Sequence, residues 1–476
     1  MNPLLDLQIL GWLLVGLGAI QLLPGGVALF YGEALFPHLA SALVTVVCGL
    51  PLALASRGQD RRMRPRDGFL VVGVGWLLAS IFGALPYFLS DTLSPVDALF
   101  ESAAGFTTTG STVMTHIEGT PHGLLLWRAL TQWLGGMGII VFAIAILPLL
   151  GIGGMQLFKA EVPSPVASKL TPRIAETARR LWMIYGGFTL LCMLALLLAG
   201  LGPFDATCHA LTTLSTGGFS TRDASIGAFG SPAVEWILIG FMLAAGINFE
   251  LHYRILTRQL RAVFGDVELR WFLGLVASAT VVVAWLLHQG GDTAPLRHST
   301  FQAVSILTTT GYGTADYQVW PATAQFILLQ CMLVGGMAGS TAGGLKSLRA
   351  VLLFRGLRAA VARAVHPHAV RPVKYGGAPV GEDVLAAVGA FLTAYVGIAA
   401  AAAVIVSLAG YDMLTSVSAA LTAISNVGPA FGAVGPTETF AHFPGYVKLT
   451  LGITMIAGRL ELFTVLVLFS RHFWSR

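Results

Sequence analysis

The apolar and polar positions of this chain fall into long apolar blocks separated by short polar ones. A helix that crosses a bilayer needs roughly 20 mostly apolar residues. Ten blocks meet that length: 8–32, 36–56, 68–90, 122–150, 180–202, 232–256, 270–289, 321–355, 383–409 and 444–472. Shorter apolar segments at 95–108, 205–215, 298–309 and 412–425 lie between certain pairs and cannot cross. Each of them ends in a Gly- and Thr-rich stretch. Irregular backbone at membrane depth is tolerated only inside protein or against a watery cavity. The pattern therefore predicts four re-entrant loops, each a short helix followed by extended chain.

Composition supports a membrane protein. Of the 476 residues, 55% are hydrophobic and only 11% are charged, against about 25% charged in soluble domains. The mean hydropathy is +0.76. The formal net charge of +5 would by itself suggest nucleic acid or acidic lipid, but its placement points to topology. Arg57, Arg61, Arg62, Arg64 and Arg66 follow the second block, and Lys159, Lys169, Arg173, Arg179 and Arg180 follow the fourth. Arg254, Arg258, Arg261 and Arg270 lie after the sixth block. Lys346, Arg349, Arg355, Arg358, Arg363, Arg371 and Lys374 surround the next such connection, and Arg471 and Arg476 end the chain. These positions share one side, which the positive-inside rule makes cytoplasmic. Both termini are then cytoplasmic and all four loops open outward. Cys48, Cys192, Cys208 and Cys331 share no CxxC spacing and read as small hydrophobes. The first block lacks a basic leader and a small-residue cleavage site, so it reads as a retained span.

The loops read AGFTTTGST (104–112), LSTGGFST (214–221), LTTTGYGT (307–314) and ISNVGPAFG (424–432). Aligned on one glycine they give Gly110, Gly217, Gly311 and Gly428, a period of roughly 100 residues that marks a tandem repeat. The expected fold class is an all-α polytopic membrane protein with four span–pore-helix–loop–span units around a pore. The units are 67–178, 179–266, 267–375 and 376–476, with two extra N-terminal helices in 1–66. Thr310-Gly311-Tyr312-Gly313 is similar to a potassium-channel filter, in which backbone carbonyls replace the ion's hydration shell. Glycine supplies the dihedrals such a loop needs, and threonine hydroxyls add oxygen ligands. The short helices would aim the negative ends of their dipoles at the pore. A single glycine-rich loop could serve helix packing alone; four in equivalent places argue for a filter. Val427 and Pro429 in the fourth loop and Ser111 in the first make the filter quasi-symmetric. Weaker K⁺ over Na⁺ discrimination than in a fourfold-identical channel is expected.

Two further features lie inside apolar blocks. Gly335–Gly344 is too glycine-rich for a good continuous helix. It reads either as a close-packing stripe or as a broken helix whose middle gates the path beneath the filter. Arg459 is costly at its depth. It reads either as a structural pair or as an electrostatic barrier in the pore; Glu461, two residues on, is poorly placed to face it. Asp97, Glu101 and Asp205 either concentrate cations at the outer mouth or cap pore helices. The histidines form no metal set, and His366 and His368 fall in a basic linker (362–375) expected to be solvated.

Several long motifs carry a family resemblance. They are QWLGGMGIIVFAIAILP (132–148), GGMQLFKAEVPSPVASKLTPRIAETA (153–178), INFELHYR (247–254), AGSTAGGLKSLR (338–349), GRLELF (458–463) and the four loops. Together they resemble the TrkH/TrkG family of bacterial potassium-uptake proteins, related to KtrB and to the plant HKT transporters. The two extra N-terminal spans favour the TrkH-like branch. The resemblance implies inner-membrane potassium uptake by a homodimer with one pore per protomer. It also implies assembly on a cytoplasmic nucleotide-binding regulatory subunit similar to TrkA. K⁺ is the bound and transported ion, with no intrinsic cofactor and no nucleic-acid partner. Any nucleotide control would come from the partner, because the chain has no glycine-rich nucleotide fold of its own. By the same resemblance, K⁺ is held at Thr108, Thr109 and Gly110; Ser215, Thr216 and Gly217; Thr309, Thr310 and Gly311; and Asn426, Val427 and Gly428. The gate is Ala338, Gly339, Ser340, Thr341, Ala342, Gly343 and Gly344, and Arg459 lies in the permeation path.

Other function classes fare worse. A symporter coupling K⁺ to H⁺ or Na⁺ is the main alternative. A membrane enzyme would need a converging polar cluster, and no HExxH, GxSxG or paired-aspartate pattern is present. A purely structural subunit would leave the four loops without a purpose.

Overall fold

The structure, a computed structural model, describes residues 3–55, 65–145, 170–366 and 372–474. The chain opens with α1 (Pro3–Ile20), α2 (Leu22–Phe30) and α3 (Phe36–Leu54). Then come α4 (Pro65–Gly83), α5 (Leu85–Leu89), the short α6 (Pro95–Phe106) and α7 (His122–Ala145). α8 (Leu170–Leu198), short α9 (Pro203–Leu214), α10 (Pro232–Gly246), α11 (Phe249–Leu256) and α12 (Leu260–Gly265) follow. Next are α13 (Val267–Gln289), short α14 (Pro295–Leu307), α15 (Ala322–Val334) and α16 (Ser347–Val365). The chain ends with α17 (Glu382–Leu408), short α18 (Met413–Ser425), α19 (Gly445–Arg459), α20 (Phe463–Leu468) and α21 (Arg471–Trp474).

Among the described residues six helices are long and apolar enough to cross a membrane, or seven if one bent pair is a single crossing. The difference from the ten expected spans lies in four blocks. The span expected over 122–150 is helical as far as Ala145, and 146–150 lie outside the described residues. The expected 232–256 span is bent by 100° between α10 and α11. There Asn248 starts a new helix, its side chain accepting the Glu250 N–H at 2.9 Å. The expected 321–355 span is two helices flanking non-helical backbone at 335–346, where Gly335, Gly339, Gly344 and Lys346 all have positive φ. The expected 444–472 span breaks after Arg459, at Glu461 (φ 61°) and Leu462 (φ 41°).

The distribution of polarity is that of a membrane protein. Leu198, Phe30, Leu43, Val281 and Val404 are exposed, while Thr107, Thr108, Thr216, Thr309, Ser425 and Asn426 are fully buried. Such an apolar exterior would be unsupportable in water. The four short helices sit in the interior. From Phe100 to Phe106 every residue of α6 is buried, and so is every residue from Phe301 to Leu307 of α14. A helix buried all round belongs to a core. Proline at the first position starts α6, α9 and α14, where its missing N–H costs no intrahelical bond.

Gln21, at the break between α1 and α2, is buried and ties three helices together. Its amide donates to the Phe82 carbonyl of α4 at 2.9 Å, and its oxygen accepts from Thr45 of α3 at 3.0 Å. The linker expected to be solvated is partly packed. Strands β1 (Lys374–Tyr375) and β2 (Ala378–Pro379) form a small hairpin whose flanking Val373 and Val380 are buried against Leu352, Val384 and Val388. His366 caps α16, and His368 lies outside the described residues. So do Arg57, Arg61, Arg62, Arg64, Lys159, Lys169, Arg371 and Arg476, and positions 153–169 of the second family motif.

α1 and α3 cross closely because Gly11 and Gly49 face each other; a Cβ on Gly11 would lie 2.7 Å from the Gly49 carbonyl oxygen. Gly11→Leu is expected to force the pair apart and cost about 1–3 kcal/mol, read as a lower melting temperature of the purified protein in detergent.

Candidate functional site

The four loops leave their short helices by the same backbone path. Thr108, Thr216, Thr309 and Asn426 are left-handed, with φ of 54°, 51°, 56° and 56°. Two residues later Gly110, Gly218, Gly311 and Gly428 are left-handed again, with φ of 81°, 80°, 80° and 104°. Between them, Thr109, Gly217, Thr310 and Val427 each donate their N–H to the carbonyl five residues back. Left-handed residues at alternate positions break the two-sided pleat of ordinary extended chain.

This geometry corrects the alignment of the second loop by one residue. The partner of Gly110, Gly311 and Gly428 is Gly218, not Gly217. Ser215 correspondingly drops back to the helix end, where its hydroxyl donates to the Leu211 carbonyl at 2.9 Å. Thr107 and Thr308 occupy that same helix-end position, and their hydroxyls turn back in the same way.

The glycines bring the loops together in cyclic order. A Cβ on Gly110 would collide with the Gly217 carbonyl oxygen, one on Gly218 with that of Thr310, and one on Gly311 with that of Val427. A Cβ on Gly428 would lie 2.7 Å from the Thr109 carbonyl oxygen, which closes the circuit. Gly110, Gly218, Gly311 and Gly428 also line one cavity of about 130 Å³.

Side chains strut each loop to the next. Arg128 and Gln132, one turn apart on α7, join the first two. Arg128 pairs with buried Glu101 at 2.8 Å, donates to the Ser220 carbonyl at 3.0 Å and lies 4.1 Å over the Phe219 ring. Gln132 donates to the Gly217 carbonyl at 2.7 Å and accepts the Phe219 N–H at 3.0 Å. The Tyr312 hydroxyl joins the third loop to α9 through Thr212 at 2.5 Å and the His209 carbonyl at 3.2 Å. Tyr317 joins the third to the fourth by donating to the Ala430 carbonyl at 2.9 Å. The fourth joins the first through Asn426 Nδ2 to Thr109 Oγ1 at 2.9 Å and Ser111 to the Gly428 carbonyl at 3.2 Å. At the first left-handed position of the loops two buried oxygens, Thr108 Oγ1 and Asn426 Oδ1, have no hydrogen-bond partner among the described residues. Buried polar atoms are normally satisfied, so these two are fit to face a ligand.

The glycine-rich segment 335–346 lies directly against these loops where they leave their short helices. The Gly343 N–H donates to Thr309 Oγ1 at 2.6 Å. Thr341 donates through Oγ1 to the Leu214 carbonyl at 3.0 Å, and Met337 N–H to the Gly246 carbonyl at 3.0 Å. The bend between α10 and α11 is thus a seat for the segment, with the Phe249 N–H reaching the Gly339 carbonyl at 3.1 Å. Arg459 is 3% exposed, and its Nη1 donates to the Thr341 carbonyl at 2.7 Å. Its Nε and Nη2 have no hydrogen-bond partner among the described residues. Glu461 pairs instead with Arg349 of α16, whose guanidinium stacks 4.0 Å over Phe391. Lys346 is also buried and donates its ammonium to the Ala342 carbonyl.

The acids read as possible cation collectors are committed to structure. Besides the Glu101–Arg128 pair, Asp97 binds Lys448 at 2.5 Å and Asp205 binds Arg222 at 2.7 Å. Among the described residues no group of three or more His, Cys, Asp or Glu side chains converges as for a metal ion. Oxygen supply at the loops therefore comes from backbone, hydroxyls and one amide. Sequence reasoning passed over Arg128, Gln132 and Glu268. The available signal was a charge and an amide one helical turn apart inside an apolar block.

The profile of the cation transport protein family TrkH matches residues 39–290 and 291–476. The Trk system potassium uptake protein TrkH of Halomonas elongata is 41% identical over 481 residues, 99% of each chain. The Trk system potassium uptake protein TrkG of Escherichia coli K12 is 37% identical over 471 residues, 97% of this chain and 96% of that one. The crystal structure of the potassium transporter TrkH from Vibrio parahaemolyticus matches over the whole of both chains, with a TM-score of 0.91 and 37% identity.

Removing one member of a buried ion pair strands the other, at a cost of about 3–5 kcal/mol. Arg128→Ala is therefore expected to lower the melting temperature of the detergent-purified protein sharply, with Glu101→Ala close behind. The double variant Glu101→Ala/Arg128→Ala should lose less than the sum of the two.

Proposed function

The chain belongs to the TrkH family of cation transport proteins, and from that premise we propose that it takes up potassium across the bacterial inner membrane through a four-loop filter. The repeats are the units 67–178, 179–266, 267–375 and 376–476, each a span, a pore helix, a filter loop and a second span, with two further helices in 1–66. Both termini face the cytoplasm and the loops open outward. The observation that carries the reading is the cyclic contact of Gly110, Gly218, Gly311 and Gly428 with the next loop's carbonyl. Backbone oxygens at that ring take the place of water around the ion. The ligand set is Thr108–Gly110, Thr216–Gly218, Thr309–Gly311 and Asn426–Gly428, with Thr108 Oγ1 and Asn426 Oδ1 as inner side-chain oxygens.

Residues 338–344 are the gate. They sit against Thr309 and fill the path that an ion leaving the filter would take. Arg459 holds the gate through Thr341 and places positive charge beneath the filter, which disfavours a resting cation. Flux then requires the segment to swing aside, a step a cytoplasmic nucleotide-binding subunit similar to TrkA would control. The chain works as a homodimer with one pore per protomer. Symport with H⁺ is the second reading, favoured by the buried Glu268 beside the gate. A pH gradient that drives K⁺ uptake at zero membrane potential would select it.

The test is ion uptake into proteoliposomes. Wild type should take up K⁺ faster than Na⁺, with moderate discrimination because Val427 and Pro429 interrupt the ring's symmetry. Gly311→Ser should abolish uptake, since its side chain would meet the Val427 carbonyl. Equal K⁺ and Na⁺ uptake by wild type would overturn the filter reading. Arg459→Ala should raise K⁺ uptake about tenfold, equivalent to ~1.4 kcal/mol of barrier; unchanged uptake by the folded variant would reject the barrier role.

A further inference from the structure

The geometry points to Glu268 as the latch that keeps the gate segment closed, a positioning residue of the transport path. The inference rests on the gating role proposed for residues 338–344. Glu268 lies in the first turn of α13 and is 4% exposed. Its Oε1 accepts the Ala338 N–H at 2.7 Å and the Leu348 N–H at 2.9 Å. Those two donors bracket the irregular stretch: Ala338 is near its start, and Leu348 is in the first turn of α16. One carboxylate oxygen therefore ties the neck of the loop shut.

Both donors need such an acceptor. The Leu348 N–H is among the first four of a helix, which have no partner within it. The Ala338 N–H belongs to irregular backbone inside the protein, where an unmatched donor is costly. The negative charge also suits the positive end of α16. Lys346 is within electrostatic reach, but its ammonium is committed to the Ala342 carbonyl, so it does not take Glu268 away from the loop. The carboxylate is carried by α13, a long helix outside the moving segment. It is a fixed post, and any swing of 338–344 that draws its two ends apart must release at least one of the bonds.

Hydrogen bonds to a charged acceptor are each worth about tenfold or more in an equilibrium. Losing the carboxylate should therefore favour the open segment without touching the filter. This distinguishes Glu268 from Arg128 or Gln132, whose contacts lie on the loops themselves.

The experiment uses the full chain, purified and reconstituted without any partner, and reads basal K⁺ uptake, the K⁺/Na⁺ uptake ratio and the melting temperature. Glu268→Ala is expected to raise basal K⁺ uptake about tenfold with the ratio unchanged. Glu268→Gln keeps an oxygen acceptor of the same length and should fall between Glu268→Ala and wild type. Uptake by folded Glu268→Ala at or below the wild-type rate would overturn the latch. If Glu268→Ala does not fold, Glu268→Asp is read instead; its shorter side chain cannot span both donors, and the same two outcomes decide. A chain lacking residues 340–342 separates the two levels of the reading. If that deletion raises uptake and the Glu268 variants do not, the gate stands and the latch is rejected. If the deletion leaves uptake unchanged, the gate reading falls and the latch with it.

Discussion

Backbone oxygens from four separate loops can share one axis only if nothing larger than hydrogen stands between neighbouring loops. That steric constraint governs the rest of this molecule. At Gly110, Gly218, Gly311 and Gly428 a Cβ would stand within 3.0 Å of the next loop's carbonyl oxygen, and each residue also has a φ that side chains disfavour. Close approach leaves no room for side chains between the loops at these four points. Their relative positions are fixed by polar struts, Arg128, Gln132, Tyr312, Tyr317 and Asn426. A guanidinium, two amides and two phenol hydroxyls do the same work of tying the loops in place.

The struts also explain why polar groups are buried where hydrophobic matching would exclude them. A guanidinium in an apolar helix is expensive, but Arg128 meets a carboxylate, a carbonyl and a ring face at once. Breaking one contact leaves the others stranded in a medium that cannot hydrate them. Such a network specifies one arrangement of the loops far more sharply than packing of small residues could. It lies beside the cavity; where the loops leave their short helices, the segment 335–346 and Arg459 complete the enclosure.

Much of this was legible in the sequence, for identifiable reasons. Short apolar segments followed by glycine and threonine obey local rules, so α6, α9, α14 and α18 could be placed from the pattern alone. The density of glycine between Gly335 and Gly344 likewise announced a break. The register of the second loop was not legible, because Ser215-Thr216-Gly217-Gly218 offers two glycines and only closure of the ring selects the second. The breaks after Gly246 and Arg459 were hidden for different causes. The first depends on a single capping residue, Asn248. The second puts Glu461 and Leu462 into left-handed conformations, which only tertiary contacts such as the Glu461–Arg349 pair can sustain. Glu268 was invisible because a carboxylate at a helix start usually serves that helix, and its two partners are remote in the chain.

Among the described residues the irregular segment 335–346 has no equivalent of its length within the other helices, and α7 runs as a helix through the whole of its described length. A pore assembled from four identical subunits would present such a plug from every quadrant, and four copies would compete for the same central volume. Fusing the units into one polypeptide removes that conflict. On the function proposed above, each quadrant is free to specialise, one supplying the stopper, another its seat and a third the charge that pins it. Mobility can then be confined to a single strand of the assembly while the remaining three keep their shape.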